Sequence, residues 1–157
     1  MPENYWTTSV PIFRSADQIR QLLSQFGADR FAMLEDWHVG RLAVQFQYRG
    51  FPVEFGVDVR KVARTELETK PWNVKRRCSR SAYEHAIEEK AGKVAMRILA
   101  HHLKASLIAV EYGLVSFEDV FLAKFLTKSG QTVGEVLVPR LAEAIAQPGR
   151  LLSAGKV

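Results

Sequence analysis

Residues 41–59, RLAVQFQYRGFPVEFGVDV, decide the fold. Apolar and polar residues alternate from Arg41 to Tyr48, so Leu42, Val44, Phe46 and Tyr48 share one face. Alternation resumes after Arg49 and Gly50, with Phe51, Val53, Phe55, Val57 and Val59 on one face. A period of two is the signature of a half-buried strand, and two such runs across a short Gly-containing turn form a β-hairpin. Pro52 cannot donate to a ladder, which places its strand at an edge or starts pairing after it.

Upstream, RFAML (30–34) predicts a further strand and EDWHVG (35–40) a turn. SADQ (15–18) offers Ser15 as an N-cap with Gln18 three residues on, a capping-box pattern. Ile19, Leu22, Leu23 and Phe26 follow at helical spacing, and Gly27 stops the helix. YWTTSV (5–10) is rich in β-favouring residues and predicts a short strand.

Downstream the pattern changes twice. Residues 60–80 show no clear period and contain Pro71, which predicts a long loop. From 81 the sequence reads as helix, with SAYE pairing Ser81 and Glu84 as a capping box. No proline interrupts it before Gly113, so the helix approaches about 45 Å. Its apolar stripe is Ile87, Ala91, Val94, Ala95, Ile98, Leu99, Leu103, Leu107 and Val110, with Gly92 a weak point. SFED (116–119) caps a shorter segment and TKSGQ (127–131) turns the chain. A last helix carries Val136, Leu137, Leu141 and Ile145, with Pro139 expected to kink or shorten it. The tail from 148 is expected to fray. The architecture is thus α+β: a small antiparallel sheet with a short N-terminal helix, then a long helix and a C-terminal helical segment. One domain is expected, with a sheet part (1–59), a basic loop (60–80), a helical part (81–147) and a tail (148–157).

The composition, 47% hydrophobic and 25% charged, is that of an ordinary globular protein. No apolar run approaches the ~20 residues that span a bilayer. The N-terminus lacks a secretory pattern, and the lone Cys78 cannot form an internal disulfide, so a cytoplasmic setting is expected.

Net charge is +5, and its location matters more than its size. Between residues 60 and 80 stand eight cations, Arg60, Lys61, Arg64, Lys70, Lys75, Arg76, Arg77 and Arg80, against Glu66 and Glu68, a local +6. The remainder of the chain carries −1. Concentrated cations neutralise phosphates and release counterions without sequence preference. Trp72 in their midst offers a face for an unpaired base. With no recognition-helix signature, the combination suits single-stranded nucleic acid.

Enzymatic signals are thin. His85, His101, His102 and Cys78 do not make a zinc spacing, so neither metal nor other cofactor is expected. Glu54 and Asp58, followed by Arg60 and Lys61, loosely resemble the acids of a metal-dependent nuclease, but polar residues on the wet side of a strand explain them more simply. No Gly-rich phosphate loop or nucleophile elbow occurs.

The segment LKASLIAVEYGLVSFEDVFLAKFL (103–126), followed by SGQTVGEVLVPRLAEAI (129–145), resembles a group of small uncharacterised proteins encoded by phages and prophages. The shared positions are Ser116, Phe117, Glu118, Phe121, Leu122 and Ala123, then Gly130, Thr132, Val133, Gly134, Glu135 and Pro139. SADQIRQLLSQFGA (15–28) and LAVQFQY (42–48) are similar too. The resemblance implies a mobile-element origin and a cytoplasmic setting, and it carries no catalytic residue. The expected function is non-enzymatic: nucleic-acid binding through residues 60–80 in phage replication or recombination. The alternatives are docking on a host or phage protein, such as a defence complex, and a metal-dependent nuclease. Self-association through the long helix is a further expectation.

Overall fold

The computed structural model describes residues 4–144, and side chains as far as residue 141. Ile145 and the tail, for which a helix end and fraying were expected, lie outside the described residues.

The hairpin forms as the alternation predicts. Strands β1 (Arg30–Asp36), β2 (Arg41–Tyr48) and β3 (Phe51–Asp58) make an antiparallel sheet in the order β1-β2-β3. Val44 pairs with Phe55, Phe46 with Val53 and Tyr48 with Phe51, which puts the apolar sets on one face. Arg49 and Gly50 both have positive φ (50° and 84°), the type I′ signature that matches strand twist. Pro52 lies in the edge strand, as expected, and its carbonyl accepts the Leu126 N–H at 2.8 Å. Segment 125–126 thereby blunts the open edge.

Helix α1 (Ile12–Gln25), helix α2 (Val59–Thr69) and the 32-residue helix α3 (Arg80–Glu111) pack with the core face. Ile19 and Leu23 of α1, Leu42, Val44 and Phe46 of β2, Val53 and Phe55 of β3, and Met96, Leu99, Leu103 and Leu107 of α3 form the buried core. Helix α4 (Phe117–Phe121), a 3₁₀ turn (Leu122–Lys124) and helix α5 (Val133–Ala144) complete the described residues. Phe117, Phe121 and Phe125 close the far end of the core, edge-on or stacked against Phe46, Phe51, Phe55 and Tyr48 at 4.5–6.1 Å. Ser116 caps α4 as expected, in a capping box with Asp119, and Pro139 sits inside α5 without ending it.

Five local expectations are corrected. YWTTSV is a 3₁₀ turn over Tyr5–Thr7, because the Asn4 side chain accepts the Trp6 N–H and curls the chain. Ser15 is not a cap: α1 starts three residues earlier, after Pro11, and Ser15 is fully buried within it. The long helix is capped by Ser79, whose hydroxyl accepts the Ala82 N–H at 3.2 Å, and Arg80 is already helical. Residues 60–80 are not one long loop, since α2 takes up 59–69 and leaves a connection from 70 to 79. Nor is Gly92 merely a weak point, because a Cβ there would stand 3.0 Å from Ile12 Cδ1, where α1 approaches α3.

The long helix buries its stripe within its own chain: Ala91, Val94, Ala95, Leu99, Leu103 and Leu107 are buried. Ile98 stays exposed. No helix among the described residues is long and apolar enough to cross a membrane.

Candidate nucleic-acid interface

The basic segment folds as a helical hairpin. Asp58 caps α2, its Oδ1 accepting the Lys61 N–H at 3.0 Å. Val59 and Ala63 are buried, and α2 packs on α3. That geometry leaves Arg60, Lys61 and Arg64 on the exposed face. Arg60 and Lys61 thus stand in the first turn of α2, which holds no acid, and Arg64 in its middle. Cations in a first turn oppose the helix dipole by about 0.3–1 kcal/mol each, which the Asp58 carboxylate at the cap offsets.

Arg60 is partly committed to the fold. Its Nη2 donates to the His38 carbonyl at 2.8 Å, and its stem runs over Gly40. A Cβ on Gly40 would meet Arg60 Cγ at 2.7 Å, and the Gly40 φ of +74° also suits only glycine.

The connection from 70 to 79 is built around Tyr83, a residue the charge pattern does not single out. The Tyr83 hydroxyl donates to the Lys70 carbonyl at 2.6 Å, and the Arg76 guanidinium lies over its ring at 4.1 Å. Asn73 closes a turn, its Oδ1 accepting the Lys75 N–H and its carbonyl the Arg76 N–H. Trp72 is half-buried and its indole N–H donates to the Cys78 carbonyl at 3.0 Å. The expected stacking platform is therefore first a staple of the loop.

Two of the cations are paired. Lys70 meets Glu66 at 2.8 Å and Arg80 meets Glu84 at 2.7 Å, both one helical turn away. The Glu84 carboxylate, by hydrogen bond and charge, holds Arg80 above the ordinary arginine value. Such exposed pairs add little stability, and each carboxylate offsets the cation it holds, so the local field rests on the cations outside these pairs. Lys61, Arg64, Lys75 and Arg77 are exposed and in no ion pair among the described residues. Lys61 and Arg64 lie in the first turns of α2, while Lys75 and Arg77 lie beyond its far end, about 15 Å along the axis.

The acids of the nuclease alternative are occupied elsewhere. Asp58 is the α2 cap. Glu54 is buried on the other face of the sheet, where the Arg41 guanidinium and the Gln45 amide donate to its two oxygens. Gly56 makes this possible, since a Cβ there would stand 3.2 Å from the Arg41 guanidinium. Glu135 lines the same pocket, and its carboxylate accepts the Thr132 N–H at 2.7 Å. That hydrogen bond, with Arg41 and Lys124 nearby, holds Glu135 below the usual carboxylate range. No group of three metal-ligating side chains occurs among the described residues. Of the histidines, His85 and His102 are exposed, and His101 is half-buried against Tyr5.

Comparison with protein-family models, with curated proteins and with solved structures gives no match for this chain.

Proposed function

We propose that the chain binds nucleic acid, preferentially single-stranded, through the cationic corner formed by α2, the 70–79 connection and the start of α3. The setting is that of a phage or prophage accessory protein acting in replication or recombination in the cytoplasm, without catalysis and without a cofactor. The observation that carries this reading is the exposure of Lys61, Arg64, Lys75 and Arg77 on one helical hairpin, none of them in an ion pair among the described residues. Arg76 and Trp72 hold the connection in shape, so the cations are presented by an ordered loop. Exposed cations outside any ion pair suit a polyanion, whose phosphates they neutralise. The single-strand preference rests on the exposed part of Trp72. The test is fluorescence anisotropy with labelled single- and double-stranded DNA and RNA at two salt concentrations. Binding that ignores salt would sink the reading.

A second reading has its own observation. Ile108, Tyr112, Leu114 and Val115 are exposed together at the end of α3, with Tyr112 and Leu114 each at 78%. Apolar groups gathered there suit a protein partner, either a host or phage protein or a second copy. A stoichiometric protein recovered after nuclease treatment, and lost in Tyr112→Asp, favours this alternative.

A further inference from the structure

We infer that the groove between α1 and α3 is a second site, one for the phosphate of a nucleotide, separate from the cationic corner. Leu22 and Ala100 give it an apolar floor over the packed interface, where Ile19 and Leu23 face the core with Met96, Leu99 and Leu103. Above it, Gln18, Gln21 and Gln25 line one wall at spacings of three and four residues. Arg97, His101 and Lys104 line the other at spacings of four and three. Each set follows a single helical face. The groove encloses about 350 Å³, at the lower end of the range for small-ligand sites.

The chemistry of the walls selects an anion. Two fixed cations and three amides line the groove, and no carboxylate does. The exposed edge of a helix pair ordinarily mixes both signs of charge, which this one does not. Arg97 donates one N–H to Gln18 Oε1 at 2.8 Å, which keeps its remaining guanidinium N–H groups and the Gln18 amide nitrogen as donors. Asp17, the acid next to Gln18 in sequence, is held by Arg20 at 2.6 Å.

The α3 wall is anchored at His101. The Tyr5 hydroxyl bonds His101 Nδ1 at 2.8 Å, with the rings edge to face at 5.5 Å. Lys90 Nζ ties the same N-terminal segment to α3 through the Thr8 carbonyl at 2.5 Å. A phosphate accepts hydrogen bonds and brings charge, matching Arg97 and Lys104. Glutamine amides both donate and accept, matching sugar hydroxyls or a base edge. A nucleotide joins those two requirements in one ligand, either free or as a unit of a strand.

An NMR titration of the full chain tests this, using AMP, a short oligothymidylate and inorganic phosphate at constant ionic strength. Saturable shifts are expected at the side-chain amides of Gln18, Gln21 and Gln25 and at backbone amides 97–104. Lys104→Ala, at an exposed position, should weaken binding about tenfold, the usual scale for a charge-assisted hydrogen bond. Lys75→Ala/Arg77→Ala, made at the other corner, should lower oligothymidylate affinity there but leave the AMP affinity read at the groove amides unchanged, so this site and the proposed strand-binding corner succeed or fail separately. Saturation by AMP identifies a free-nucleotide site, and saturation by the oligonucleotide alone identifies a strand site. Saturation by inorganic phosphate as tight as by AMP confines the ligand to the phosphate group. Linear, unsaturated shifts spread over all basic residues, or an affinity unmoved by both Lys104→Ala and Arg97→Ala, overturn the inference.

Discussion

Removing Lys75 and Arg77 together is the sharpest test of the cationic corner. Both are exposed and in no ion pair among the described residues, so the double alanine variant should fold normally. Arg76 is deliberately spared, because its guanidinium lies on Tyr83 and truncating it would disturb the loop. For a single strand, the slope of log K against log salt is about −0.7 per neutralised phosphate, so four cations give about −2.8. Raising salt from about 50 to 200 mM then weakens binding roughly 50-fold. With two cations left the slope falls to about −1.4, and the same salt step costs only about sevenfold. Anisotropy of a labelled oligothymidylate across the salt series measures both slopes, and a circular dichroism melt checks that the variant is folded. An unchanged slope in a folded variant refutes the assignment of these two residues. So does a loss confined to one base sequence, since phosphate contacts carry no sequence information.

Three further predictions concern the fold that presents the site. Ser15→Ala should stabilise the protein by about 1 kcal/mol, because the Ser15 hydroxyl is buried without a hydrogen-bond partner among the described residues and alanine favours helix. Urea denaturation should show a higher midpoint at unchanged slope, whereas a drop of similar size would mean that Ser15 acts as a cap after all. Gly40→Ala should cost about 2 kcal/mol or more, since its φ is left-handed and the new Cβ meets Arg60. In an Arg60→Ala background only the backbone part, about 1–2 kcal/mol, should remain, and equal costs in both backgrounds would rule out the clash. Glu135 is held low by the Thr132 N–H, so its folded value lies beneath its unfolded one. Its capping contribution to α5 is therefore present above the ordinary glutamate range and lost as pH falls through the depressed value. The Thr132 amide shift, followed by NMR, should titrate below that range; a midpoint at or above it contradicts the hydrogen bond.

Much of the fold was legible because its signals are local. Period-two alternation, the Arg49–Gly50 turn and the proline-free run to Gly113 are each continuous in sequence, and each fixed an element. The concentration of charge at 60–80 was equally plain. Helix α2 was not, because its short sequence is dense in charge and two of its cations sit in the first turn, against the dipole. Only burial of Val59 and Ala63 against the rest of the fold decides it. Ser15 fits a capping pattern as well as it fits the interior of a helix, and the start after Pro11, with burial on the core, settled the matter. The spacing of Arg97, His101 and Lys104 could have been read along the chain, but the glutamines opposite them could not, since Gln18 and Arg97 are 79 residues apart. Sequence alone sets what the backbone does over a turn or two. Which side chains end up across a groove from one another is set by packing of distant segments, and so are the electrostatics of both sites.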